Sequence, residues 1–208
     1  MAQTRASQAF LFVGNDPCLD FVNTQMIVRG ALTDLLPTFE DLVAWLVKAK
    51  LLTEMEGESV SRDLIQEEKK RVFERAKAFR STLREMADQI VRRKTIAGAV
   101  VTEINRLLSQ RSGYPQIIQT KGGFEQKFVL IAARTDRILT PLAEAASDLL
   151  CHVSPALIKK CKNSACILYF YDTTKNHTRN WCSMRVCGNR VKVAAHFRRK
   201  RQAKRKRE

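Results

Sequence analysis

Four cysteines fall in one 27-residue window, as Cys161-x4-Cys166-x15-Cys182-x4-Cys187. Zinc prefers a tetrahedron of thiolates at about 2.3 Å, and two close pairs joined by a hairpin-sized connection can supply it. Because all four positions are filled, the spacing points to a closed, structural Zn2+ site rather than a catalytic one. The competing reading, four unligated cysteines in a small core, is disfavoured by size: the stretch from Lys160 onward holds too little apolar surface to fold unaided. Metal binding would then supply much of that segment's folding free energy. Clustered cysteines in a chain with no secretion signal point to metal rather than disulfides. Cys18 and Cys151, both in helical contexts, are expected to be dispensable for the metal.

The second chemistry is electrostatic. The net charge is +16, and from Cys151 to Glu208 there are 16 Lys/Arg against 2 acids, a local net of +14. A neutral body with a basic arm is the footprint of polyanion binding, since cations that neutralise phosphates release counterions; the alternative is a merely solubilising tail. Candidate nucleic-acid contacts are Arg185, Lys192, His196, Arg198, Arg199, Lys200, Arg201, Lys204 and Arg205. On a helical wheel Val193, Ala194 and Phe197 turn inward, and Lys192, His196, Arg199 and Lys200 share the opposite arc. Arg190 falls on the inner side and needs a partner. Asp172, the only acid between Cys151 and Arg207, is the expected one.

These groups need positioning elements. Between the cysteine pairs, an apolar strand from Ile167 to Asp172, a polar turn, and a strand from His177 to Trp181 predict a β-hairpin, followed by a helix opened by the second pair. This order is treble-clef-like. His177 could serve as a substitute ligand or a phosphate contact, although a lone turn histidine is more often solvated.

Upstream, Phe10 to Val13 is a short strand candidate, and Asp16-Pro17 starts a helix. Thr38 and Asp41 form a capping-box-like start for another. A long helical pattern runs from about Glu58 to Lys94, a second segment from about Val100 to Gln110, and a glycine-turned hairpin from Tyr114 to Ile131. A last helix is expected from about Thr135 to Cys151. The fold class is therefore α+β, mostly α: a helical N-terminal domain with a small antiparallel sheet (1–152), then a finger with a hairpin and a basic helix (157–208). No apolar run approaches the roughly 20 residues needed to span a bilayer. The expected location is the cytoplasm, on the nucleoid when bound to DNA.

The stretch Trp181-Cys-Ser-Met-Arg-Val-Cys-Gly-Asn-Arg190, preceded by its cysteine pair, resembles the signature of the CGNR zinc finger. Leu19-Asp-Phe-Val-Asn-Thr24 resembles the opening motif of the ABATE domain, which accompanies this finger in bacterial stress-induced transcription regulators. The resemblance implies zinc on the four cysteines, DNA binding through the finger, and an N-terminal domain that senses something. Asp20 and Asn23 match polar positions of the opening motif. They are candidate ligand contacts or, on the plainer reading, helix-start and buried hydrogen-bonding groups. Asn180 departs from the basic residue expected before the tryptophan.

Three functions follow. The first is a DNA-binding transcription regulator, not an enzyme, with the helical body as small-molecule sensor or homodimerisation unit. The second is an RNA-binding protein, in which Tyr169, Phe170, Tyr171 and Trp181 stack bases. The third is an enzyme with a stabilising finger. No Gly-rich phosphate loop or paired nucleophile supports the third.

Overall fold

The computed structural model describes residues 10–110, 113–130 and 138–205. They fall into two compact units that do not follow the chain in simple halves. One unit contains residues 36–86 and 96–152, and the other gathers the described N-terminal segment up to Leu35, Ala87–Thr95 and the residues from Val153 onward.

The first of these units is mostly helical. Helix α2 (Phe39–Lys48) starts with the expected capping box, Thr38 and Asp41 bonding each other's backbone N–H, and buries Phe39, Leu42, Val43, Trp45 and Leu46. The long helical pattern is in fact two helices, α3 (Glu54–Asp63) and α4 (Gln66–Val91). The chain turns extended at Leu64, and the Ile65 N–H donates to the Glu68 carboxylate, which caps the second start. A second capping box, Thr53 with Glu56, sets where α3 begins. Val72, Ala76, Phe79, Leu83 and Met86 recur at helical spacing on α4 and are all buried. Helices α5 (Gly98–Leu108) and α6 (Thr140–His152) contribute Val100, Ile104, Leu107, Leu142, Ala146 and Leu149 to the buried set, and Leu139 just before α6 joins them. The hairpin β3 (Gly113–Thr120) with β4 (Gly123–Leu130) closes on Thr120↔Gly123, with Gly123 at a φ of +133° that glycine alone tolerates easily. The expected end of that hairpin at Ile131 and the start of the last helix at Thr135 lie outside the described residues.

In the other unit, α1 (Pro17–Val22) is capped by Asp16, whose carboxylate accepts from the Cys18 and Leu19 N–H groups. The strand expected at Phe10–Val13 does not form; that stretch is irregular. A small hairpin follows α1 instead, β1 (Gln25–Val28) with β2 (Ala31–Asp34), turned by Arg29 and Gly30, both at positive φ. Further on, β5 (Ile158–Lys160) and β6 (Tyr169–Tyr171) pair antiparallel across the first cysteine pair. The hairpin expected between Cys166 and Cys182 is thus replaced by one that straddles Cys161 and Cys166. The reason is local: residues 173–180 wrap around the Asp172 carboxylate rather than running back as a strand. A π-helical turn, Met184–Gly188, leads into the basic helix α7 (Asn189–Arg205).

Candidate zinc centre

The four clustered sulfurs come from two elements. Cys161 and Cys166 lie on the turn between β5 and β6, while Cys182 and Cys187 flank the start of the π turn that opens α7. All four Sγ atoms lie within 4.8 Å of one another, and Cys166 and Cys182 are 3.8 Å apart. A tetrahedron with Zn–S bonds of about 2.3 Å has S···S edges of about 3.8 Å, so the donor set fits Zn2+.

The thiols of Cys161, Cys166 and Cys182 do not ionise independently. Hydrogen bonds from the Cys166 and Cys182 side chains hold the Cys161 thiol down. Cys166 and Cys182 are pushed up, since each further thiolate faces those already present. A dication at the centre removes that opposition. Backbone N–H groups of Cys182 and Asn163 point at the Cys161 sulfur, and that of Leu168 at Cys166. The Asn163 amide donates to Cys187 Sγ at 3.4 Å, while its own oxygen accepts from the Ala165 N–H at 3.1 Å. Such outer-shell bonds fix ligand orientation. At Gly188 a Cβ would come within 2.5 Å of Met184 Sδ, on a flexible, half-exposed side chain that can give way, and 3.1 Å of the Trp181 ring.

One buried core cluster of this unit is built on the metal site: Cys161, Leu168, Phe170, Cys182 and Cys187, with Leu11, Val13, Met26 and Trp181 packed against it. N-terminal residues are therefore part of the finger. Asn23, fully buried, donates to the Tyr169 carbonyl at 2.8 Å and accepts from the Tyr169 N–H at 2.9 Å. The Tyr171 N–H donates to the Gly14 carbonyl at 2.7 Å, and the Asn15 amide bridges the Tyr171 carbonyl and the Thr173 hydroxyl. Asp20 accepts from the Val13 and Gly14 N–H groups at 2.8 and 2.6 Å. A side chain at Gly14 would meet the Asp20 backbone at 2.9 Å, so this approach also requires glycine. Burial nonetheless pushes the Asp20 carboxyl up to about 6, against the pull of those two N–H groups. Both Asp20 and Asn23 are thus buried and bonded to backbone, the arrangement the plainer reading expects.

Asp172 does not pair with Arg190. Its carboxylate, 0% exposed, takes the Lys159 ammonium at 2.6 Å, the Thr174 hydroxyl and N–H, and the Arg179 N–H at 3.0 Å. Burial alone would raise this carboxyl; the four donors outweigh it and hold it well below the usual range. Arg190 is exposed, and the ion pair at Asp172 is made by Lys159 of β5. His177 also belongs to this loop, with its carbonyl accepting from Lys159 and its ring against the Asp172 carbonyl, not to the metal.

Arg179 was not singled out from sequence, yet it ties the unit together. Its guanidinium donates to the carbonyls of Trp181, Val13 and Cys182 and lies 4.1 Å over the Phe170 ring. One positive group thereby crosslinks the N-terminal segment, the second cysteine pair and β6. Nothing in the local pattern around Arg179 distinguishes it from the solvated bases nearby.

Of the basic candidates, Arg185, Lys192, His196 and Lys200 are exposed. Arg198, Arg199, Arg201, Lys204 and Arg205 lie on the α7 backbone, with side chains outside the described part. The inward face expected for α7 is not formed: Val193, Ala194 and Phe197 are exposed as well, and the His196 and Phe197 rings meet edge to face at 5.9 Å.

This is a mostly α, α+β protein with four cysteines placed to hold zinc, the mark of a zinc-binding regulator. Residues 15–153 match the ABATE family, described as "Putative stress-induced transcription regulator", and residues 158–200 match the CGNR zinc finger. The chain belongs to the ABATE family and carries a CGNR zinc finger that binds Zn2+ through Cys161, Cys166, Cys182 and Cys187. No curated protein matches it. Among the described residues no helix is long and apolar enough to cross a membrane.

Proposed function

We propose that this protein is a transcription regulator that binds duplex DNA through its zinc finger and α7, in response to stress or to a small-molecule effector. On this reading the helical unit of residues 36–86 and 96–152 serves as sensor or dimerisation surface. The observation that carries the proposal is the placement of charge. The segment with +14 of the +16 net charge is the one that zinc orders, and it ends in a 17-residue helix whose described basic side chains are exposed. A helix of that length and charge suits a groove or its phosphate walls.

The RNA alternative rests on aromatic stacking, and the aromatics speak against it. Tyr169 and Phe170 are buried, at 1% and 0% exposure, and Trp181 packs on the zinc core. Competition among labelled duplex DNA, single-stranded DNA and RNA for the zinc-loaded protein tests the reading. Duplex DNA is expected to displace the others; a clear preference for RNA would replace this proposal with the alternative.

A further inference from the structure

The turn that holds the first cysteine pair and the first turns of α7 face each other across an open groove of about 520 Å³, lined by Lys162, Asn163, Ser164, Arg190, Val191, Ala194 and Ala195. We propose that this groove is the phosphate cleft of the finger, seating a phosphodiester of the nucleic-acid backbone between Lys162 and Ser164 on one wall and Arg190 on the other. The inference rests on the nucleic-acid reading above and gives it an address that the helical wheel did not.

Three observations converge on it. The first is chemical. The exposed polar groups on the rim are an ammonium, a hydroxyl and a guanidinium, all of them donors, and no carboxylate lines the groove. Arg190 is exposed, and the Asp172 carboxylate is taken by Lys159. A phosphodiester, acceptor-only and singly charged, complements such a set.

The second observation is shape. The floor is made of Val191, Ala194 and Ala195, small side chains that leave room for a sugar–phosphate chain to approach the helix backbone. At about 100° per residue, positions 190, 194, 198, 201 and 205 fall within an arc of about 80°. Four of those five positions are arginine in the sequence, on the helix face that starts in the groove. This arc is distinct from that of Lys192, His196 and Lys200.

The third observation is mechanical. One wall is held by Cys161 and Cys166 and the other by Cys182 and Cys187, and Asn163, at the base, bonds Cys187 Sγ directly. Zinc held by these four sulfurs would tie the two walls of the groove together, which gives a structural metal a consequence for binding.

The test uses the full chain, zinc-loaded, and a fluorescein-labelled duplex, with affinity measured by anisotropy over a fourfold range of salt. Each lost phosphate contact flattens the log–log salt slope by about 0.9. Lys162→Ala and Arg190→Ala should each do so, and the double variant should flatten it by about 1.8. The fourfold salt increase then costs the wild type about 12-fold more affinity than it costs the double variant. Lys175→Ala, which removes one charge from the exposed Thr173–His177 turn, should keep the wild-type slope. All variants should retain one zinc, which guards against loss of fold. If the wild type binds and the groove variants keep its slope, or if Lys175→Ala flattens it equally, the groove is refuted while the nucleic-acid reading stands. If the wild type binds no duplex, single strand or RNA even at low salt, that reading fails and the groove with it.

Discussion

Asn23 lies 138 positions before the first zinc ligand in the chain, yet its replacement by alanine should loosen the metal. Its side-chain amide makes two buried hydrogen bonds to one residue, Tyr169 of β6, at 2.8 and 2.9 Å. A buried polar group stripped of its partner costs about 1–3 kcal/mol, so losing both bonds puts the range at about 2–6 kcal/mol. The lower half is expected, since the alanine variant no longer buries an amide of its own. Against a typical total stability of about 5–15 kcal/mol this is a large fraction. Asn23→Ala should therefore lower the urea midpoint of this unit. If zinc leaves through opening of the unit, transfer to a colorimetric chelator should accelerate by at least about 30-fold, the rate equivalent of 2 kcal/mol. Asn23→Asp should be no milder at neutral pH, because a carboxylate oxygen would then face the Tyr169 carbonyl. Unchanged zinc transfer in Asn23→Ala would refute the claim that the N-terminal segment is built into the finger.

Replacing any one of Cys161, Cys166, Cys182 or Cys187 by serine should abolish stoichiometric zinc and strip hydrogen-exchange protection from residues 10–24 along with the finger, whereas Cys18→Ser and Cys151→Ser should keep the metal; a protected, metal-free finger would end the zinc account. Asp20, at about 6, binds its proton more tightly folded than unfolded, where a carboxyl sits near 3.8. Its contribution to stability is therefore greatest below about pH 4 and falls as pH rises through 6, by up to about 3 kcal/mol. Asp20→Asn should accordingly be more stable than the wild type at pH 8 and lose that advantage by pH 4; a less stable variant at pH 8 would contradict the sign. Asp172, held low, contributes the opposite way, with stability present at neutral pH and lost as acid protonates it. Asp172→Ala should cost a few kcal/mol, partly restored by Lys159→Ala in the same chain, and strict additivity of the two would exclude the pair.

What sequence made legible was local. The cysteine spacing identified all four ligands, because a zinc site of this kind places its donors at short fixed intervals. The Thr38–Asp41 box and the glycine-turned hairpin at 120–123 were readable because their hydrogen bonds close within three or four residues. The first cysteine pair sits between β5 and β6, and that pairing was missed because Ile158–Lys160 is only three residues long and offers no alternation. The break at Leu64 was hidden because apolar spacing continues across it, although Thr53 with Glu56 carried a readable start signal for α3.

The errors at the site share one cause: contacts distant in sequence. Arg190 was assigned to Asp172 by elimination among acids, but the Lys159 ammonium and the Arg179 backbone N–H take that carboxylate instead. Asp20 and Asn23 were singled out as polar positions of the opening motif, and the feature they serve, the backbone of Gly14 and Tyr169, depends on the N-terminal segment meeting β6. The wheel for α7 assumed a buried face. Val193 and Phe197, both more than half exposed, have none to turn toward among the described residues.

The central claim is that zinc organises this basic segment into a nucleic-acid-binding surface, and the salt dependence of duplex affinity measured with and without the metal tests it most directly. With zinc, neutralisation of about five to eight phosphates gives a log–log slope near −4.5 to −7. Stripping zinc leaves every charge in place but frees both walls of the groove, so affinity should fall and the slope flatten. A zinc-free protein that binds duplex DNA with the same affinity and the same slope would contradict the account and reduce the segment to a basic tail.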